Sequence, residues 1–213
     1  MLYLGMFGLT REEERLLRKL QSPQDIQEYL DQLPVNFEKG GDTHYSPRMV
    51  LRHKKAHCIE GALLAATVLW LHNQSPLLLD LKTKQYDDEH VVALFKMNGY
   101  WGALSKTNHA VLRYRDPIYK TVRELALSYY HEYFMPKNGE KTLVSYSRPY
   151  DLRRLGDAWV TDAKPLWYID DALNATRHYE LVPKANTQHI RKASLHERIV
   201  SKIPEWIKEN PRT

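Results

Sequence analysis

The chain's only cysteine, Cys58, stands where a polar, basic run gives way to an apolar one, KKAHCIEGALLAATVLWLH over residues 54–72. A helix begun at Cys58 would set its sulfur against the free N–H groups of the first turn and the positive end of the helix dipole. That setting favours thiolate. Lys54, Lys55 and His57 would add to the effect, and Glu60 would oppose it. The competing expectation for a lone cysteine is a small buried hydrophobe. A thiol nucleophile needs a general base, most often histidine. Of the ten histidines, most lie in polar stretches, whereas His90 begins an apolar strand directly after the acidic DDE of 87–89. The pair points to acyl chemistry: attack of a thiolate on a carboxamide, peptide or other acyl group, with an imidazole taking and returning the proton.

A third group should orient that imidazole. The stretch HVVALFKMNGYWGALS, residues 90–105, reads as a β-hairpin with Asn98-Gly99 as a two-residue turn. With that turn His90 faces Thr107 and Val92 faces Ser105, so Ser105 shares the face of His90. Serine can accept a hydrogen bond from the ring and select its tautomer, but it brings no charge to stabilise imidazolium. Asn108, just past the strand, is a second candidate to hold the ring, and Asp87 or Asp88 could fold back from the preceding loop. Asp116, before Pro117, reads instead as a helix cap. His109 is a rival base, with little room after it for a further strand.

A cysteine at the head of a buried helix, a histidine leading a strand and a next strand entered through GYWGALS resemble the transglutaminase-like superfamily of the papain-like fold. The likeness spans about residues 46–107 and extends to bacterial members of that superfamily whose activity it does not supply. It implies a Cys-His-Asp triad with Cys58 and His90 as its first two members. The acid would stand fifteen residues after His90, four after Trp101, where this chain has Ser105.

Other chemistries find less support. His53 and His57 are four apart with Cys58 adjacent, but a helix boundary there would break the register and no second cluster has ligand spacing, so no metal site is expected. No glycine-rich phosphate loop occurs, and no cofactor is expected. The net charge of +5 is unevenly placed: residues 184–213 hold seven Lys/Arg against three Asp/Glu, and the rest 24 against 23. That tail reads as a solvated amphipathic helix, so nucleic acid is not an expected partner. The expected partner is a peptide, protein or small amide substrate, with oligomeric state left open.

The positioning elements follow from pattern. Thr10 with Glu13, Ser22-Pro23 and Ser46-Pro47 start three helices. Residues 58–72, apolar on every side, form a buried helix. SPLLLDL and KTLVSYS are strands, DPIYKTVRELALSYYHEYF is a long helix, and LWYIDDALNATRHYEL is the best periodic stretch of the remainder. The chain should form a single α+β domain over 1–213, a central buried helix packed on an antiparallel sheet in the transglutaminase-like, papain-like manner, with helical additions at both ends. One cysteine excludes an internal disulfide framework, the start does not read as a signal peptide, and the longest apolar run is too short to cross a bilayer. A cytoplasmic location is the expectation.

Overall fold

A computed structural model describes residues 5–207. Four helices come first. Thr10 caps α1 (Arg11–Arg18) and Ser22 caps α2 (Pro23–Gln32), each through a reciprocal box with the residue three further on. Ser46 caps α3 (Pro47–His53), which stops at Lys54 in the left-handed region. Helix α4 (Cys58–Leu71) is buried from Ile59 through Leu69.

Then come β1 (Leu77–Thr83), β2 (His90–Met97), β3 (Tyr100–Leu104), β4 (Arg115–Tyr119), α5 (Val122–Tyr130), β5 (Leu143–Ser147) and β6 (Tyr150–Asp151). The described chain closes with α6 (Trp167–Asn174), β7 (His178–Glu180) and α7 (Leu195–Val200). The strands make one antiparallel sheet in the order β4-β3-β2-β1-β5-β7, with β6 also pairing β1. The class is α+β. None of the described helices is long and apolar enough to cross a membrane.

Strand alternation divides the core. Val91, Ala93, Phe95 and Leu104 pack with α4 and the N-terminal helices, while Val92, Leu94 and Ala103 pack with Leu125, Ala126 and Tyr129 of α5. Helix α4 is therefore covered by the sheet on one side and by helices on the others, which is why its sequence has no polar face. Asn98 (φ 50°) and Gly99 (φ 88°) make the β2–β3 turn, and the register pairs Ala93 with Leu104 and Met97 with Tyr100.

The structure departs from the sequence expectation at three places. Asp116 and Pro117 lie in β4, not at the start of a helix; α5 begins six residues later, capped by Thr121 through Glu124 N–H. Proline is tolerated there because β4 is an edge strand. The periodic stretch after Leu166 ends as a strand, β7, pairing with β5. The basic tail is not one helix but a short 3₁₀ segment, the six-residue α7 and a run of turns and bends to 207, its last residues lying outside those described.

The first turn of α4 closes on the chain just past β3. A Cβ placed on Gly61 would stand 2.5 Å from the Cβ of Lys106. Gly61→Ala is expected to lower stability by about 1–3 kcal/mol through this overpacking. Chemical denaturation checks it, and an unchanged midpoint would deny the close approach.

Candidate active site

Cys58 is the first residue of α4, with His57 as the residue before the helix. The sulfur is partly buried at the wall of a cleft of about 460 Å³ that also takes in His90, Tyr133, Asp88, Val35 and Phe37. The N-terminal end of α4 and the start of β2 thus open on one cavity.

His90 is buried, and its Nε2 lies 2.8 Å from Ser105 Oγ. The same Oγ lies 2.6 Å from the carbonyl oxygen of Leu112. Serine has one proton and a carbonyl can only accept, so Ser105 donates to Leu112 and must accept from His90 Nε2–H. That assignment leaves His90 Nδ1 as the nitrogen free to exchange a proton with the thiol. Leu112 sits at φ 62°, a left-handed conformation that costs a side-chain-bearing residue roughly 1–2 kcal/mol. Its N–H is held by Glu132 Oε2 at 2.8 Å, so the carbonyl that ends the relay is pinned in place.

Ser105 itself is clamped by a residue that pattern reading passed over. Gln27 accepts from Ser105 N–H (3.0 Å) and donates to Ser105 C=O (2.8 Å). The visible signal was a glutamine within the buried stripe of α2, beside Ile26 and one turn before Leu30. Lys106, equally buried, donates to Leu33 C=O at 2.6 Å and ties the loop after β3 to the end of α2.

Asn108, the other candidate to hold His90, is engaged elsewhere. Its side chain accepts from Trp206 N–H (2.7 Å) and donates to Trp206 C=O (3.1 Å), and its carbonyl accepts from Glu205 N–H. Asn108 therefore ties the C-terminal run to the rim of the cleft and does not orient the imidazole. His109 and Thr107 also line the cleft. The Asp87 carboxylate accepts from Thr142, Asp88 is exposed with its backbone C=O accepting from the Tyr133 hydroxyl, and the hydrogen bond of His90 goes to Ser105.

The surroundings of the thiol are strongly polarised. Burial pushes the Cys58 pKa up, but hydrogen bonding to His57 and His90 and the charges of the two rings outweigh it and bring it down to about 5. His57 Nδ1 is 4.0 Å from Cys58 Sγ. Burial works against charge on His57, yet the thiolate and Glu60 lift its pKa to about 10. Glu60 is fully buried; burial raises its pKa, while His57, Thr43 and Tyr45 N–H lower it to about 2. The groups that lower the Cys58 pKa are the two histidines rather than Lys54 and Lys55, and the Lys55 ammonium stands over the Tyr45 ring. Glu60, expected to oppose the thiolate, also favours charge on His57, which stands 3.3 Å from it.

One ligating atom each from Glu38, His44 and His57 lies within 4.8 Å of the others. His57 Nε2 is already paired with Glu60 Oε1 (3.3 Å) and Glu38 Oε1 (3.4 Å), and an imidazolium has no lone pair for a metal. We read the cluster as an ion-pair network. His53, part of the weighed metal fragment, stacks on Tyr45 instead.

No protein-family model matches the chain, and no curated protein matches it.

Proposed function

We propose that this protein carries out cysteine-dependent acyl chemistry, amide or peptide hydrolysis or acyl transfer, through a thioester on Cys58 with His90 as general acid and base. The observation that carries the reading is the directed chain from His90 Nε2–H to Ser105 Oγ to Leu112 C=O, which leaves Nδ1 as the nitrogen able to exchange a proton, together with the His90 hydrogen bond that helps to lower the Cys58 pKa. The order of helix head, strand head and next strand supports a transglutaminase-like, papain-like arrangement in which serine stands where that family carries an acid.

In the first half-reaction the Cys58 sulfur forms a bond to the acyl carbon while the carbonyl π pair moves to oxygen. The Cys58 backbone N–H, in the first turn of α4, is a donor for that oxyanion. As the carbonyl re-forms, the bond to the leaving amine breaks and the amine takes the proton from His90 Nδ1. In the second half, His90 Nδ1 removes a proton from water or an acceptor amine as its oxygen or nitrogen attacks the thioester. The sulfur leaves as thiolate, and the protonated ring is ready for the next leaving group. Water yields hydrolysis and an amine yields transfer.

The test is the pH profile of Cys58 alkylation by iodoacetamide. The expected midpoint is about 5, against about 8.5 for an ordinary thiol, and His90→Ala should raise it. The plateau rate should fall below that of an ordinary thiolate, since nucleophilicity declines with pKa. A wild-type midpoint between 8 and 9 would instead favour a silent cleft that only binds peptides or partners, a reading the missing acid at Ser105 would then explain.

A further inference from the structure

Taking Cys58 as the nucleophile of the proposed reaction, we infer that the positive charge missing from the Ser105 side of the site is supplied from the opposite side, by His57 backed by the carboxylates of Glu60 and Glu38. The thiol has two imidazole neighbours, and they are built differently. His90 passes its Nε2–H to a neutral hydroxyl, a relay that fixes a tautomer and contributes no charge. His57 has Nδ1 4.0 Å from the sulfur, and its buried Nε2, which makes no hydrogen bond, stands at ion-pair distance from Glu60 (3.3 Å) and Glu38 (3.4 Å). Carboxylate, imidazole and sulfur follow one another, which is the order a triad uses to stabilise imidazolium.

Glu60 is suited to that task because it cannot move. It accepts from Thr43 Oγ1 (2.6 Å), Tyr45 N–H (2.9 Å), Asn36 Nδ2 (3.1 Å) and the N–H of His57 (2.9 Å). Glu38 is fixed from the same loop, accepting from Thr43 N–H at 2.7 Å. The same Glu60 carboxylate caps α4 by accepting from the backbone N–H of His57.

The other charged groups around the site do not duplicate the effect. His44, whose ring stands 5.6 Å from that of His57, is driven toward neutrality by burial and then by His57's charge. The Tyr133 phenol, across the cleft, is held protonated by burial and then by the charge of Cys58. Asp87, Asp88 and Glu89 on the β1–β2 loop are negative, and Lys106 is turned to Leu33. His57 and His90 are thus the two groups that favour the anion, and they divide the work. An imidazolium held at a pKa of about 10 keeps its proton through neutral pH and acts as fixed charge. His90, free of a carboxylate at Nε2, moves the proton.

The division is tested in the full chain by alkylation profiles of wild type, His57→Gln, Glu38→Gln and His90→Ala, with the burst of phenol from an activated aryl ester followed over the same range. In His57→Gln the alkylation midpoint should move up toward the ordinary thiol value, cutting the thiolate fraction near about pH 6 by tenfold or more. Its burst profile should shift upward in parallel. His90→Ala should keep a burst, since the thiolate remains and a phenolate leaves without a proton donor, but should lose the steady-state turnover that follows it at every pH. Glu38→Gln, which spares the helix head, should shift the midpoint in the same direction by less, and stands as the test if His57→Gln fails to fold. Midpoints unchanged in both His57→Gln and Glu38→Gln would overturn the inference while leaving Cys58 and His90 in their roles. An ordinary wild-type midpoint would overturn the nucleophile reading itself.

Discussion

Cys58→Ala is expected to abolish the burst of phenol from an activated aryl ester, with the folded state retained. His90→Ala should cut the steady-state turnover of the same ester by about 10²–10⁴-fold. The two differ in kind. Without the sulfur no thioester forms, and the residual rate is that of the cleft's polar groups acting on water. Without the imidazole a thiolate remains, since His57 still faces the sulfur, but the water that attacks the thioester has no base. Alanine at Cys58 removes a small, partly buried side chain, so stability should change little. The loss can then be read as chemistry once circular dichroism and denaturation curves match wild type. A burst that survives in Cys58→Ala would place the nucleophile elsewhere and end the proposal. Retained turnover in His90→Ala would transfer the proton work to another group.

Glu60→Ala should cost about 3–5 kcal/mol, the range seen when one partner of a buried ion pair is removed and the other stays behind. The carboxylate holds the loop containing Thr43, the N–H groups of Tyr45 and His57, the Asn36 amide and the His57 ring together from a wholly buried position. Alanine leaves those donors facing a void, and an imidazolium without its counter-charge. The pH dependence carries a definite sign. The carboxyl's pKa is depressed from 4.5 to about 2 in the folded chain. Its ionisation therefore stabilises the fold fully above the unfolded value, and that contribution is lost as pH falls from about 4.5 toward 2. Denaturation midpoints measured down this limb should fall steeply for wild type and less steeply for Glu60→Ala. Parallel curves would mean that the charge on Glu60 contributes nothing to the folded state.

Much of the candidate site is local and so was readable without coordinates. The end of α3 at Lys54 and the start of α4 at Cys58 follow from the switch between polar and apolar runs. The Asn98-Gly99 turn sets the β2–β3 register, and strand alternation then carries Ser105 to the face of His90, where the two side chains meet. Misreadings arose where a local signal served two structures. Asp116-Pro117 has the composition of a helix start, yet pairing with β3 along an edge made it strand, and the cap passed to Thr121. Asn108 was near enough in sequence to serve His90, but the C-terminal run from Ser201 to Trp206 returned to claim both ends of its amide.

The sequence by itself determined the elements nearest the thiol and their local geometry: a buried helix with Cys58 at its mouth, a hairpin in one register, and the Ser105 hydroxyl on the face of His90. These depend on periodicity, turn chemistry and capping, each confined to a few consecutive residues. Only the tertiary structure decided what surrounds the thiol. Gln27 reaches Ser105 across 78 positions, Leu112 turns a strained carbonyl to the same hydroxyl, and Glu38 and Glu60 meet on His57 from different segments. Charge and hydrogen bonding act over a few ångströms of space whatever the separation along the chain, so the electrostatics of the cleft took form only when those segments closed around it.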